Sequence, residues 1–187
     1  LEKKIKEFKS KNITEAEVRI HTKGGDVFEA TEIHNLLEDA FDTIKIKAGA
    51  LVASAGTYFL TKYKSSAKPN SMFMIHKPSG GVHGNEDDVE SRLTLLKQIT
   101  NDYRASYADK MGITEEAVNT LWDKGDHWMT AQQALKAGLI DSIEGKKTAI
   151  SPEAYLDLVA CGAPNAEHYK PKNTNKRDMN IELLAAQ

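Results

Sequence analysis

Hydrophobic side chains in the N-terminal third of the chain recur first at helical and then at strand spacing. Leu1, Ile5 and Phe8 stand three or four residues apart among lysines, which predicts a short amphipathic helix. Residues 16–22 alternate apolar and polar side chains, as a half-buried strand does, and a pair of glycines follows. From Asp26 onward apolar side chains return every three or four residues, so a second helix is predicted after the glycine turn.

The middle of the chain repeats this order of strand and helix. Residues 43–53 begin with alternating isoleucines and lysines and continue as small apolar residues, which predicts a longer strand. Residues 54–64 are typical of a helix, and residues 71–76 form a nearly continuous apolar run, as expected of a strand covered on both faces. Strands that alternate with helices in this way indicate an α/β fold with a mostly parallel sheet.

The second half of the chain is predicted to be mainly helical. Residues 77–85 contain three glycines and a proline, so we expect a loop or an irregular extended ribbon there. Apolar side chains then repeat at helical spacing over residues 86–111, and Gly112 is predicted to end this helix. At about 1.5 Å per residue this helix is about 40 Å long, so we expect it to project or to meet a partner. The remaining predicted elements are two short helices, which begin after Thr114 and Thr130, and a strand at residues 139–143.

Length and composition indicate one globular domain. The chain has 187 residues, of which 40% are hydrophobic and 28% charged. A chain of this length buries a core of its own without disulfide bonds. We assign residues 1–150 to the domain and residues 151–187 to a peripheral C-terminal extension, and we expect the polar end of this extension to be disordered.

Charge and cysteine content exclude several classes of function. The net charge of −2 provides no field for nucleic acid or acidic lipid, so we expect neither as a partner. The single cysteine cannot form an internal disulfide, and no Cys/His cluster has the spacing of a zinc site, so we predict no metal and no other cofactor.

We expect a cytoplasmic location, because the single cysteine fits a reducing compartment and the apolar stretches indicate neither a membrane span nor a secretory signal. These stretches fall far short of the ~20 residues that span a bilayer, and the N-terminus lacks the apolar core of a secretory signal. Because the chain begins with Leu rather than Met, we expect a fragment or a processed product.

Residue types with catalytic chemistry follow three successive predicted strands. Gly24 and Gly25 follow the first strand, Ser54 follows the second, and His76 ends the third. Because the carboxyl ends of parallel strands lie at one edge of a sheet, these residues can converge. A serine hydroxyl can attack a carbonyl group, and an imidazole can take up and return its proton at physiological pH. Backbone N–H groups at the glycines can bind the oxyanion that forms.

Each of these residues also has an ordinary structural interpretation. Ser54 can cap a helix, His76 can hydrogen-bond the backbone at a strand end, and a glycine pair can simply form a turn. A triad also needs a carboxylate, and position along the chain does not choose between Asp123 and Asp126, which both precede the capped helix at Thr130. The coincidence of all four features after predicted strands favours the catalytic interpretation.

Four segments resemble the ClpP-type serine peptidases, and more narrowly their phage- and prophage-encoded relatives. The segments are TKGGDVFEA at 22–30, GALVASAG at 49–56, MIHKPSGG at 74–81 and GDHWMTAQQALKAGLIDSI at 125–143. With the spacings between them, the resemblance covers about residues 14–145. It implies a ClpP/crotonase-like α/β fold of repeated ββα and βα units, with a projecting "handle" helix within about residues 77–112.

The resemblance also implies a role for individual residues. It makes Ser54 the nucleophile, His76 the general base and acid, and Asp126 the orienting carboxylate, with Asp123 as the fallback. The oxyanion donors are then the backbone N–H groups of Gly25 and Ala55. The peptide substrate is expected to bind as an added strand between two segments, formed by Asp26 and Val27 on one side and by Ser79, Gly80, Gly81 and Val82 on the other.

The resemblance also implies how the chain assembles and in which process it acts. The handle helix implies a homo-oligomer of stacked rings that acts on peptide or protein substrates. Only 24 residues precede Gly25, so we expect the axial loops and first strand to be absent or truncated, which leaves an ATPase unfoldase partner open. The extension after Ser151 resembles that of phage head-maturation proteases and points to capsid (prohead) maturation. Two alternatives are a crotonase-like enzyme acting on acyl-CoA and a catalytically inactive assembly or scaffold relative.

Overall fold

A computed structural model describes residues 1–171 of the chain. Its helices are α1 Glu2–Ser10, α2 Val27–Glu38, α3 Tyr58–Lys62, α4 Glu86–Met111, α5 Glu115–Trp122, α6 Ala131–Lys136 and α7 Pro152–Ala160. Its strands are β1 Glu15–Thr22, β2 Thr43–Ala53, β3 Lys64–Ala67, β4 Met72–Ile75, β5 His127–Thr130 and β6 Ser142–Ile143. Short 3-10 turns occupy Ser54–Thr57 and Ala166–Tyr169. The predicted disordered end of the extension lies outside the described residues.

The sheet has six strands and is organised around β2. Strand β2 pairs in parallel with β1, β3 and β4, and β3 pairs in parallel with β6. Strand β5 is the exception, because it runs antiparallel to β4. The α/β fold class with a mostly parallel sheet is confirmed.

Both faces of the sheet are buried. One hydrophobic cluster lies between the sheet and the helices α1 to α6 and includes Val52 and Phe73. A second cluster covers the opposite face and joins Leu51 and Met72 to Leu158 of helix α7, which is fully buried. Alternate residues of β2 and β4 therefore enter different clusters, which is why these strands appear as continuous apolar runs in the sequence.

The span of the long helix and its C-terminal end match the sequence prediction. Helix α4 spans Glu86–Met111 and begins at a capping box formed by Asn85 and Asp88. It ends at Gly112, which adopts a left-handed conformation with φ of 64°. The first ten residues of this helix are exposed, so its N-terminal half stands away from the described domain.

Two strands were absent from the sequence prediction, and the bounds of two other elements were wrong. Strand β3 consists of Lys, Ser, Ser and Ala and so carries no apolar alternation, and β5 lies at residues for which the sequence predicted no element. The helix predicted to run to residue 64 ends at Lys62 because β3 follows. The strand predicted at residues 139–143 is reduced to Ser142–Ile143, because Leu139 and Ile140 are buried in the turn after α6.

The start of the C-terminal extension packs against the domain. Helix α7 begins with Pro152 after a Ser151 cap and lies on the second cluster with one face. The following turn adds a hydrogen bond from the Tyr169 hydroxyl to Met72 Sδ in β4. The domain boundary at residue 150 remains a prediction, but residues 152–169 are in contact with the sheet.

A polar network ties the end of α4 to the sheet. The Asp141 carboxylate accepts hydrogen bonds from Lys110 Nζ at 2.8 Å, the Ser65 backbone amide at 2.8 Å and Lys64 Nζ at 3.2 Å. Burial alone raises the pKa of Asp141, but the hydrogen bonds from these donors outweigh it and lower the pKa to about 2. Ionised Asp141 therefore joins α4, β3 and the chain before β6.

We predict that Asp141→Asn lowers the free energy of unfolding by about 1–3 kcal/mol at neutral pH, because it removes the charge from these hydrogen bonds. The pKa of Asp141 is lower in the folded protein than in the unfolded chain, so the stabilisation is complete above about pH 4 and is lost as the pH falls toward 2. Urea unfolding at several pH values measures this, and the wild type and the variant should converge in acid.

Asp109→Asn provides the control, because Asp109 is exposed in the last turn of the same helix. It should leave stability nearly unchanged at every pH. A pH-independent difference between Asp141→Asn and the wild type would contradict the electrostatic explanation.

Candidate active site

Ser54 has an unusual backbone conformation at the end of β2. It is the first residue of the 3-10 turn, and its φ of 53° lies in the left-handed region. A non-glycine residue held there costs of order 1–3 kcal/mol, which the surrounding structure must supply. The cap position of this turn is Ala53, with no side-chain cap. The interpretation of Ser54 as an ordinary helix cap is therefore wrong.

The Ser54 hydroxyl is hydrogen-bonded to His76. The distance from Ser54 Oγ to His76 Nε2 is 2.7 Å. Strands β2 and β4 are parallel neighbours in which Ala53 pairs with Met74, so both chains leave the sheet at the same edge. Residues 22 positions apart in sequence are thereby placed in direct contact.

Asp126 is the carboxylate that the fold brings to the other nitrogen of His76. Asp126 Oδ1 lies 3.4 Å from His76 Nδ1, and the Asp126 side chain is 48% exposed. Antiparallel pairing of Ile75 with His127 places the residues just beyond each, His76 and Asp126, beside one another. Asp123 instead ends helix α5 and is exposed, so the fallback residue does not occupy this position.

The glycine pair passes directly against Ser54. Gly24 has a φ of 99° and Gly25 a φ of 150°, and the Gly24 amide donates to Thr22 Oγ1 at 3.1 Å. A Cβ atom on Gly24 would lie 2.5 Å from Ser54 Cβ, closer than two such atoms can approach. Only glycine fits at position 24 without moving the serine.

A cavity of about 250 Å³ opens beside Ser54 and His76. Gly25 and Ala55 line it, so both predicted oxyanion residues share a wall with the hydroxyl. The Ala55 amide lies in the first turn of the 3-10 segment, where N–H groups have no partner within the turn. Both residues with candidate backbone donors and the serine thus line one small space.

Of the six predicted substrate-binding residues, two line the cavity and four do not. Val27 and Ser79 line the 250 Å³ cavity. Asp26 caps helix α2, where its carboxylate accepts from the Phe28 amide at 2.7 Å. Gly80, Gly81 and Val82 lie in the exposed segment before α4, outside the cavity lining.

The sequence did not identify the tyrosines that line the cavity. Tyr103 and Tyr107 of α4 form part of its wall, together with Pro78. Burial raises the pKa of both phenols, so they are neutral at physiological pH. Their four-residue spacing was visible as part of the apolar stripe of the long helix, but that stripe indicates packing in general and gives no sign of a cavity.

A larger cavity of about 680 Å³ lies elsewhere, between the sheet and the segment that leads to α7. Arg19, Asn70 and Ile150 are among its lining residues, whereas Ser54, His76 and Asp126 are not. The volume of a cavity therefore does not identify the candidate site. The contact between Ser54 and His76 identifies it.

Within residues 1–171, no group of three or more His, Cys, Asp or Glu side chains is arranged to hold a metal ion. No helix there is both long and apolar enough to cross a bilayer.

Comparison with known proteins gives the family. The model of the Clp protease family matches residues 7–147. This chain belongs to the Clp protease family. It is 30% identical over 133 residues to an ATP-dependent Clp protease proteolytic subunit of Bacteroides fragilis, covering 70% of this chain and 64% of that protein. It is 29% identical over 138 residues to the ATP-dependent Clp protease proteolytic subunit 2 of Cutibacterium acnes, covering 72% of this chain and 65% of that protein.

The resemblance found in the sequence is thus confirmed at the level of the family. The matched region of this Clp-family chain contains Gly25, Ser54, His76 and Asp126. The chain spans just under two thirds of the length of these curated relatives.

We predict that Gly24→Ala lowers the rate of fluorophosphonate labelling of Ser54 by about 10²-fold. The added methyl group displaces the serine, and a shift of about 1 Å at a reacting atom has an effect of this size. Labelling is measured by intact-protein mass spectrometry.

Gly162→Ala is the matched control, because Gly162 also has a positive φ, 70°, but has open space where a Cβ atom would lie. It introduces similar backbone strain without the contact at Ser54. An equally large loss of labelling in Gly162→Ala would show that backbone strain, rather than displacement of the serine, explains the effect of Gly24→Ala.

Proposed function

We propose that this chain is a serine endopeptidase that cleaves extended peptide segments through an acyl-enzyme on Ser54. The 2.7 Å contact between Ser54 Oγ and His76 Nε2 carries the proposal. Membership of the Clp protease family supports it, and so does the position of Asp126 behind the imidazole. Neither an acyl-CoA enzyme that uses backbone donors alone nor an inactive scaffold requires this contact.

The proposed reaction begins with proton transfer from Ser54 to His76. As Oγ attacks the substrate carbonyl carbon, His76 Nε2 takes the hydroxyl proton, and Asp126 accepts a hydrogen bond from His76 Nδ1. The Gly25 and Ala55 amides hold the oxyanion of the tetrahedral intermediate, a contribution that is typically about 3–4 kcal/mol per donor. His76 then gives the proton to the departing amine nitrogen, and the acyl group stays on Ser54.

Hydrolysis of the acyl-enzyme runs through the same residues. Water attacks the ester carbonyl while His76 accepts its proton, and the proton returns to Ser54 as the carboxylic acid leaves. The 3.4 Å distance from His76 to Asp126 is long for a hydrogen bond. Such distances commonly shorten when substrate binds, so it does not argue against the role of Asp126.

The substrate is proposed to bind as an extended strand. Val27, which follows Asp26, lines the cavity, and so does Ser79, the first residue of the segment from Ser79 to Val82, which has no regular secondary structure. Main-chain hydrogen bonds to such segments give affinity with little demand on most substrate side chains. Specificity then depends on the cavity next to Ser54.

The chain is further proposed to form a homo-oligomer of stacked rings through α4. Val89, Leu93 and Leu95 are 42–45% exposed on the N-terminal half of this helix. Apolar side chains in a projecting helix are normally covered by another surface. Because the residues that surround them are polar and of both charges, a second copy of the same helix fits this surface.

We propose the bacterial cytoplasm and capsid maturation as the setting of this activity. The matched family region ends at residue 147, and the chain continues into helix α7, which packs on the sheet. This extension supports a specialised relative in place of general proteolysis. The substrate would then be a structural protein of the procapsid.

Ser54→Ala is expected to abolish fluorophosphonate labelling and peptide cleavage. Asp126→Asn should reduce both by about 10²–10⁴-fold, because the imidazole loses the group that fixes its tautomer. Asp123→Asn is the matched control and should retain wild-type rates. Labelling kinetics and a fluorogenic peptide assay measure these effects.

Two results would decide against this proposal. Wild-type protein that is assembled and folded but never reacts with fluorophosphonate would favour the inactive scaffold. Binding of acyl-CoA together with turnover that is indifferent to Ser54→Ala would favour the crotonase-like alternative.

We predict that Leu93→Glu reduces the size of the assembly, because it places a charge in the apolar surface of α4. Sedimentation velocity should show a particle of lower mass than the wild type, with unchanged far-UV circular dichroism. Lys97→Gln, an exposed polar exchange on the same helix, should leave the mass unchanged. An unaltered mass for Leu93→Glu would exclude this surface from the assembly contact.

A further inference from the structure

The pairing of β1 with β2 shifts just before the candidate site. Ile20 pairs with Ala48, but Thr22, two residues further along β1, pairs with Val52, four residues further along β2. Strand β2 is therefore bulged between these two pairs. Regular pairing resumes only just before Ser54 on one strand and the glycine pair on the other. The geometry of the bulge thus affects how the oxyanion glycines lie against the serine.

The side chain of His21 supplies the hydrogen-bond partner that the bulge removes. Leu51 has no paired residue in β1, and its backbone amide donates to His21 Nδ1 at 3.1 Å instead. Because Leu51 is fully buried, its N–H group would otherwise lack both a partner and water. Gly49 allows this approach, since a Cβ atom there would lie only 2.7 Å from His21 Cβ.

The bond from Leu51 requires one particular tautomer of His21. A ring nitrogen that accepts a hydrogen bond carries no proton, so the proton of this neutral imidazole is on Nε2. Asp157 Oδ2 lies 3.2 Å from Nε2 and accepts from it. A carboxylate favours this tautomer because it can only accept. Asp157 therefore keeps Nδ1 free to accept from the Leu51 amide.

Asp157 belongs to helix α7, outside the region that the family model matches. That region ends at residue 147, whereas α7 spans Pro152–Ala160 and is held on the sheet by Leu158. Asp157 Oδ1 also lies 3.3 Å from Lys23 Nζ, but the Lys23 side chain is 54% exposed, so this ion pair contributes little. The hydrogen bond to His21 is the contact through which α7 reaches the site.

We propose that Asp157 is a positioning residue for the peptidase reaction, so that the C-terminal extension is required for full activity. This inference rests on the proposed function. Without the carboxylate, both tautomers of His21 are populated. In the Nδ1–H form the ring and the Leu51 amide present two donors to each other, and the strands separate at the bulge. The Gly25 amide is then misplaced relative to the Ser54 hydroxyl.

The first test measures the rate of fluorophosphonate labelling of Ser54 in the full chain. Asp157→Ala should lower this rate about tenfold, because misplaced reacting groups are costly. Asp157→Asn should lower it only about twofold, since its amide oxygen still accepts from Nε2. Both variants should keep the wild-type far-UV circular dichroism and be labelled completely in the end. Equal losses in the two variants would contradict a role for the hydrogen bond.

Two variants serve as matched controls. Glu167→Gln changes a different contact of the extension, in which the Tyr155 hydroxyl donates to Glu167 at 2.6 Å. Lys23→Gln removes the other partner of Asp157. Both should be labelled at nearly the wild-type rate. A tenfold loss in either control would overturn the proposal, because the contact with His21 would not be the cause.

A double variant tests whether Asp157 acts through His21. His21→Ala should also slow labelling, and adding Asp157→Ala to it should cause no further loss. Losses that multiply would show that the two residues act independently. NMR of the imidazole nitrogens reads the tautomer directly, and the proton should be on Nε2 in the wild type and shared between both nitrogens in Asp157→Ala. A wild-type proton on Nδ1 would overturn the inference.

The outcomes separate this inference from the proposed function. If the wild type is labelled at Ser54 and Asp157→Ala is labelled equally fast, the role of Asp157 is wrong and the peptidase assignment stands. The NMR result requires no activity and is decided separately. If Ser54 is never labelled and no peptide is cleaved, the proposed function is wrong, and the positioning role is wrong with it.

Discussion

The parallel pairing of β2 with β4 is the constraint on which the candidate site depends. In this register Ala53 is level with Met74, so Ser54 and His76 emerge together at one edge of the sheet. If β4 ran antiparallel to β2, His76 and Ser54 would lie at opposite edges of the sheet. The burial of both faces of these strands holds the register, since a slip by one residue would exchange the side chains of the two hydrophobic clusters.

Backbone conformation then determines how the serine is presented. The left-handed φ of Ser54 turns its side chain away from the cap position and toward the imidazole. The same region of space is occupied by the backbone of Gly24, which comes so close that no side chain fits there. Strain at the serine and a missing side chain at the glycine are thus two parts of one local arrangement. This arrangement lies between two parallel strands, and their burial prevents the backbone from moving to relieve the strain.

Much of this architecture could be predicted from the sequence because each signal was local. Apolar periodicity and the Gly112 cap gave α4 its full length, and the order of strands and helices gave the parallel sheet. Strand β5 could not be found in this way, because its four residues have no clear alternation and β4 is its only partner within residues 1–171. Missing that strand meant that the sequence alone could not choose between Asp123 and Asp126. The choice depends on a long-range pairing of Ile75 with His127, which local patterns do not contain.

Helix α4 links the candidate site to the surface through which we propose that the chain assembles. Its buried half contributes Tyr103 and Tyr107 to the cavity wall and is fastened to the sheet by the Lys110–Asp141 pair. Its other half exposes Leu93 and its neighbours, and no proline or glycine interrupts the helix between the two. Sharp kinks in a helix arise mainly at prolines, glycines or inserted groups, so an uninterrupted helix carries a displacement of one end toward the other. Whatever covers the exposed half therefore also constrains the wall of the cavity beside Ser54.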